Sequence, residues 1–582
     1  MKSYINKFLL GLAVVSMTGL ASCVNDLDQA PQDPNKITSG DFGKDPKEYM
    51  GQVMAKCYSS LAVSGQGGPD GDSDISGLDG GTSNWTRVIF MLNEFTTDEV
   101  SWIWPDIGVF DLCTNTWSNG NGNLYGAYGR LYTHIAVCND FIRQVNDGVF
   151  NVSDADVPIR DQFVLEARAL RDLSYYYIID FFGNGVRAWD DMAYGDTPEQ
   201  VTRKELFDLV TADLEDVLAN FKESGIYGRV GKDGVEALLC RYYLNAESWI
   251  GENMYAKCWE HAQNIIGRHQ GGGFDKTGLA KDYLALFCGS NDMFMPGGSL
   301  KDQNEILWGI PFQYPDTESY GGTMFLIEAA VSADNMPAVL YGITDSWACM
   351  HAREQFADKF SFVNGVSNDS RTYLWATEQQ GFTKTNDEFS KFTSGYAPVK
   401  FTNCKAEANG TLPRNTYTFK TDTDDPDNPG EKLTYTFNWA GKPEVNGLPD
   451  MSNKYPDTDF PIIRLADVYL MAAECALRGA GDRSKGLEYV NNVRRRAGVA
   501  PWFEGDYNLT NMIDERSREL YWENTRRTDL IRFNLFTGNT YNWAWKNNVR
   551  EGASIGSHMN LFPLPADVVA YYGGKMKQNP GY

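Results

Sequence analysis

The sequence predicts a mainly α protein: a scaffold of paired helices of the tetratricopeptide kind, with one large, irregular, loop-rich insertion that contains short β-hairpins. Three observations predict it. Apolar residues recur at helical spacing through two blocks, roughly 45–270 and 460–537. Helix pairs within those blocks approximate the tetratricopeptide repeat of about 34 residues. The intervening stretch, about 271–459, is rich in Gly, Pro, Asn and Asp.

The first element is a targeting segment. Lys2 and Lys7 precede the apolar run Phe8 to Leu20, which is shorter than the roughly 20 residues a membrane span needs and reads as a secretory signal. Leu20-Ala21-Ser22-Cys23 then looks like a bacterial lipobox, which makes 1–22 a lipoprotein signal peptide and Cys23 the lipidated first residue of the mature chain. Buried acyl chains contribute about 0.8 kcal/mol per CH₂, so lipid can hold the protein at a membrane without a transmembrane helix. Residues 23–44 are polar and carry Pro31 and Pro34, the composition of an extended leash. Folded structure is expected from about Asp45.

In the first block, 161–182 places Phe163, Ala167, Leu170, Tyr177 and Phe181 near one face and stops at Gly183 and Gly185. Segments 201–221 and 235–250 read as further helices, and 254–266 follows after a short turn as an antiparallel partner. A second pair spans 467–497: Leu470, Ala473 and Leu477 precede a Gly481-Asp482 turn, and Gly486, Val490 and Val493 follow it. The repeat is degenerate, since Glu474 stands where a small residue is expected. Such pairs stack because neither helix alone buries its apolar face. The scaffold is therefore assigned to 45–270 and 460–582. Within the insertion, Asn415 to Phe419 and Leu433 to Asn438 alternate around an acidic loop and predict a small hairpin.

Composition narrows the function. Among 582 residues, 77 acidic against 52 basic side chains leave a net charge of −25, a field that repels phosphate backbones and excludes nucleic acid as a partner. The 31 Phe, 31 Tyr and 15 Trp exceed what core packing alone uses, unless helices are Tyr-rich or a site stacks on rings. Removing Cys23 from ten cysteines leaves an odd nine with no CxxC pair, which reads as buried free thiols. No cofactor is implied.

Motifs for catalysis fail on context. Gly552 to Gly556 fits G-x-S-x-G, but the only later histidine is His558, four residues on, with no acid between it and Ser554. No H-E-x-x-H or P-loop occurs. Glu515, Glu519 and Glu523 form an i, i+4 stripe interleaved with Arg516 and Arg518, which reads as a structural ion network rather than a glycosidase acid pair; Arg464 and Asp467 read the same way. Asp70, Asp72 and Asp74 resemble the start of a calcium loop, but Ile75 and Gly81 stand where Gly and Glu are needed. Bound calcium, a solvated turn, or carboxylates accepting sugar hydroxyls are the alternatives there. Trp85, Trp102, Trp104 and Trp117 lie in loop-like sequence, as do Phe312, Tyr314, Tyr320, Tyr341, Trp347 and Tyr396. A loop indole either plugs a core or offers a flat face to a sugar ring.

Five stretches together resemble the SusD/RagB family of outer-membrane nutrient-uptake lipoproteins of Bacteroidetes-type bacteria. They are the lipobox followed by Asp26 and Asp28; LNEFTTDEV at 92–100; LEARALRDLSYYYIIDFFGN at 165–184; FPIIRLADVYLMAAECAL at 460–477 with VNNVRRRAG at 490–498; and IDERSRELYWENTRRTDLIRF at 513–533. The chain closes on LFPLPADVV and QNPGY, an ending this family favours. The resemblance implies a non-catalytic, lipid-anchored, surface-exposed protein of the outer membrane. It would capture oligosaccharide or polysaccharide and deliver it to a SusC-like TonB-dependent transporter. A surface glycoside hydrolase and a peptide- or protein-binding repeat scaffold are the alternatives. Because sugar sites vary between members, the candidate residues are general ones: Trp85, Trp102 and Trp104 for stacking, and Asp70, Asp72 and Arg371 for hydroxyl contacts. Arg371 follows Asn368-Asp369-Ser370, and its guanidinium can donate a forked pair of bonds.

Overall fold

A computed structural model describes residues 45–69, 73–222, 225–451 and 453–582. The signal peptide, the leash, Cys23, Asp70 and Asp72 lie outside the described residues.

Asp45 caps the first helix, α1 (Pro46–Ala62), by accepting from the Glu48 amide, and Pro46 stands at a first-turn position that needs no amide donor. There follow α2 (Trp85–Asn93), the short strand β1 (Val100–Trp102), α3 (Gly122–Asn146), α4 (Val157–Phe181), α5 (Arg203–Asn220), α6 (Lys232–Ile250) and α7 (Tyr255–His269). Thr202 and Glu205 form a reciprocal capping box at the start of α5. Gly251, at φ 76°, ends α6 in the left-handed conformation and lets the chain reverse into α7.

The middle of the chain supplies β2 (Ile306–Ile310), α8 (Thr323–Glu328), β3 (Met350–Ala352), β4 (Arg414–Asp424), β5 (Lys432–Ala440) and β6 (Phe460–Arg464). Among the described residues these strands form three two-stranded antiparallel sheets. β2 pairs with β6, Ile306 opposite Arg464 and Ile310 opposite Phe460, so the chain leaves and re-enters the helical body through one ladder. β4 and β5 form the hairpin around the acidic loop. β1 pairs with β3, Trp102 opposite Met350, which ties the first helical block to the insertion.

The scaffold resumes with α9 (Leu465–Leu477), α10 (Arg483–Arg496), α11 (Leu509–Leu520) and α12 (Arg526–Arg532). Packing runs in sequence from α3 through α4, α5, α6 and α7, and then α9 docks on α7 and carries α10 and α11. The stack is thus continuous across the insertion, each helix covering the apolar face of its neighbour. Gly486 sets the closeness of α9 and α10, since a Cβ there would meet Tyr507 Oη at 2.0 Å and Ala476 Cβ at 2.8 Å.

Glu515 and Glu519 on α11, with Glu523 in the turn that follows it rather than on the same helix, are the hub of a buried ion network. Glu515 accepts from Arg371 at 2.9 Å, from Arg518 at 2.6 Å and from Arg494. Glu519 faces Arg371 at 3.2 Å, Arg464 at 3.1 Å and Arg496. Glu523 holds Arg464 at 2.7 Å and Lys400 at 2.6 Å. Asp467 binds Arg241 at 2.9 Å and Arg516 at 3.0 Å. Every buried charge here has opposite charges beside it, the condition under which such groups can be taken out of water. The nine described cysteines are buried and free. No helix among the described residues is long and apolar enough to cross a membrane.

Candidate functional site

Where α1, α2, β1 and the insertion meet, a cavity of about 320 Å³ opens to solvent. Its builders are local. Asn84 caps α2 by accepting from the Thr86 amide at 2.9 Å. The same side chain donates to the last carbonyl of α1, Ala62, at 2.6 Å and to Ser319 Oγ at 3.2 Å. One amide thereby fixes the 319–322 turn, and with it Tyr320, against the start of α2. The approach requires glycine next door: a Cβ on Gly321 would meet Asn84 Cβ at 2.2 Å.

Opposite, β1 ends at Trp102, and the Ile103 amide donates to Cys349 O at 2.9 Å, so the chain emerges beside the 347–349 turn. Trp347 is presented by that turn, its amide bonded to Glu328 O at 2.7 Å, and the next residue, Ala348, is held at φ 52°.

The walls are rings. Trp104 is 40% exposed and stands edge-on to Trp102, centroids 5.8 Å apart at 71°. Tyr320 and Trp347 face across at 6.4 Å and 45°, and Tyr455 backs Tyr320 at 5.7 Å. Lys454 Nζ donates to Tyr320 Oη at 2.8 Å and holds that ring in place. The floor is Trp102, stacked on Phe325 at 5.5 Å and 26°. Three partly open rings, Trp104, Tyr320 and Trp347, tilted rather than coplanar, thus line a curved wall.

Polar groups converge on this wall. The Arg87 guanidinium lies 4.5 Å from the Phe325 centroid and 5.6 Å from that of Trp102. It is 7% exposed, lines the cavity, and its Nε has no hydrogen-bond partner among the described residues. Burial pulls its proton affinity below the ordinary arginine value, against the nearby Cys349, Asp106 and Asp79. A buried guanidinium N–H without a partner is costly in the free protein, and an oxygen-rich ligand would satisfy it. Asp106 accepts from Trp102 Nε1 at 2.9 Å, and Asp79 accepts from the Thr82 amide at 2.8 Å. Each carboxylate is therefore oriented through one oxygen and keeps the other for a hydroxyl. Burial also raises Glu328, behind Trp347, to about 8, but this carboxyl is fully buried and does not line the cavity. The G-x-S-x-G stretch lies in a loop without the strand–turn–helix setting of a nucleophile elbow.

Of the residues singled out from sequence, the fold brings Trp102 and Trp104 to the cavity, Trp102 as floor and Trp104 as wall. Trp85 is a correction. It begins α2, is fully buried, donates to Ser174 Oγ at 3.3 Å and meets Tyr177 edge-on at 5.4 Å, so it anchors α2 on α4 and offers no face to a ligand. Arg371 is a second correction: it is fully buried, forked onto Asp369 at 2.6 and 2.8 Å and onto Glu515, with no donor turned to solvent. Asp74, two residues after Asp72 in the chain, is held by Arg130 at 2.7 Å and Lys56 at 3.3 Å. Arg87, Asp79 and Asp106 carried no sequence signal. Tyr320 and Trp347 were visible as loop aromatics, but nothing in their spacing shows that they face Trp104.

Comparison with known proteins follows the same lines. The SusD family model matches residues 304–582. The chain is 30% identical to the starch-binding protein SusD of Bacteroides thetaiotaomicron, over 99% of this chain and 98% of that protein. It is 33% identical to SusD-like protein P25 of Formosa agariphila, over 88% of each. Among solved structures, a SusD superfamily protein from Parabacteroides distasonis superposes with a TM-score of 0.64 at 18% identity, covering 94% of this chain and all of that one. Surface glycan-binding protein A from Bacteroides thetaiotaomicron, solved with laminarihexaose, superposes with a TM-score of 0.60 at 20% identity, covering 91% of this chain and 99% of that one.

Proposed function

This chain belongs to the SusD family, and we propose that it is a cell-surface, lipid-anchored glycan-binding protein whose Trp104–Tyr320–Trp347 pocket captures oligosaccharide without cleaving it and hands it to a SusC-like TonB-dependent transporter. The observation that carries the reading is the pairing of a partly exposed ring wall with a buried Arg87 whose Nε has no hydrogen-bond partner among the described residues, in one cavity. Rings contribute apolar contact to the C–H faces of sugars, while Arg87, Asp79 and Asp106 supply fixed donors and acceptors for hydroxyls. The tilt between the rings suits a chain that curves. With a starch-binding relative 30% identical along its whole length, α-glucan is the first ligand to test. Naming of the relatives as binding proteins supports the absence of turnover. The lipobox and the family support lipidation at Cys23 and an outer-membrane location.

Affinity electrophoresis of the mature chain in gels containing amylopectin, laminarin or xylan tests this. Retardation in one of them, abolished by Trp104→Ala and unaccompanied by new reducing ends, is expected. Release of reducing ends would establish a hydrolase instead. Retardation in none of a broad glycan panel, with binding to peptides, would establish the repeat-scaffold alternative.

A further inference from the structure

Outside the cavity, three rings from three distant parts of the chain meet at the surface. Phe110 follows β1, Phe389 belongs to the insertion, and Trp545 to the C-terminal segment. Phe110 and Phe389 stand edge-to-face at 4.9 Å and 71°, and Phe389 and Trp545 at 5.4 Å and 81°. Phe110 is 38% exposed, and its neighbour Ile107 is 96% exposed.

The ladder is built rather than incidental. Trp545 Nε1 donates to Asn386 O at 2.9 Å, which fixes the indole. Its backbone is held at φ 68°, with Asn547 and Asn548 at 55° and 54°. Left-handed non-glycine residues cost energy and concentrate where a side chain has to be presented. The Asn548 amide donates to Thr114 O at 3.2 Å, binding this segment to the short helix that carries Phe110.

Along the chain, the patch lies close to the cavity. Asp106 lines it, and the Val109 amide bonds back to Asp106 O at 3.1 Å, a turn that keeps the two Cα atoms within about 7 Å. Phe110 follows one residue later, so its Cα lies within about 11 Å of that of Asp106. Ile107 and Phe110 are therefore the exposed apolar residues that follow Trp104 and Asp106 along the chain at this edge of the cavity. Near Phe389 in the chain, Asp387 is bonded to Arg550 at 2.7 Å, and Asn547, two residues after Trp545, donates to Ser554 O at 3.1 Å.

We propose that Phe110, Phe389 and Trp545 form a second platform that binds the continuation of a glycan whose first sugars occupy the Trp104 pocket, so that the protein favours long chains over short ones. This rests on the glycan reading of that pocket. The test is calorimetry on the mature chain with maltotriose and amylopectin, and with laminaritriose and laminarin, for the unsubstituted protein, Phe110→Ala, Phe110→Trp and Phe389→Ala/Trp545→Ala. Loss of one ring is expected to weaken polysaccharide binding about three- to tenfold, to leave the trisaccharide unchanged, and to be rescued by Phe110→Trp. Equal affinity of all variants for the polysaccharide would overturn the platform, as would parallel loss for trisaccharide and polysaccharide. Failure of the unsubstituted protein to bind either glycan pair would overturn the pocket reading and the platform with it, a result distinct from the other two.

Discussion

Replacing Arg371 with Met separates a structural cation from a ligand contact. The guanidinium holds Asp369 through two bonds and leans on Glu515 and Glu519. Without it, Glu515 keeps Arg494 and Arg518, and Glu519 keeps Arg464 and Arg496, but no other cation is seen to pair with Asp369. Methionine fills much of the volume, so the dominant cost is one buried carboxylate without its partner, about 3–5 kcal/mol. At about 2.1 cal/mol/K per residue, the described part of the chain unfolds with an entropy of about 1.1 kcal/mol/K. The expected fall in Tm is therefore only about 3–5 °C. Differential scanning calorimetry measures it, and titration with whichever glycan binds the parent is expected to show unchanged affinity. An unchanged Tm with lost affinity would refute the reasoning, because it would make Arg371 a ligand contact and its buried pairs dispensable.

Trp104→Ala and Trp102→Ala are expected to divide cleanly. The first weakens glycan binding about tenfold or more with little change in Tm, because the ring is exposed; the second costs about 3–5 kcal/mol of stability, because it empties the stack on Phe325. Arg87→Met should reduce glycan affinity by about ten- to a hundredfold, the scale of hydrogen bonds to a charged group, while changing stability little, since relief of the buried charge and its partnerless Nε is offset by lost contact with the Phe325 and Trp102 rings; calorimetry with and without ligand checks both. Glu94 and Glu99 are buried side by side, near Asp98, Arg526 and Lys400, and burial raises both, Glu99 to about 7. The native state then holds protons that the unfolded chain releases above its carboxylate range near 4.5. Stability should accordingly fall as pH rises from about 4.5 to 7, by on the order of 3 kcal/mol for Glu99. Glu94→Gln should flatten that decline, as followed by Tm against pH.

Periodicity and composition determined a great deal about this protein. The helical blocks, the turn at Gly481-Asp482, the hairpin on either side of the acidic loop and the ionic character of the Glu515–Glu523 stripe are all properties of neighbours in the chain. Helix faces and i, i+4 pairs are set within a few residues, so they can be read without the fold. What only the tertiary structure decided is which of many loop rings reach solvent and which meet. Trp85 and Trp104 look alike in sequence, yet the first begins a helix buried on α4 and the second stands at the mouth of a cavity. Arg371 looks free beside Asn368, but α11 approaches from 144 residues away and takes its charge. Tyr320, Trp347 and Arg87 become a site because one asparagine and one glycine, Asn84 and Gly321, bring the insertion against α2. Contacts of that kind depend on long-range packing and excluded volume, which no local pattern in the chain encodes.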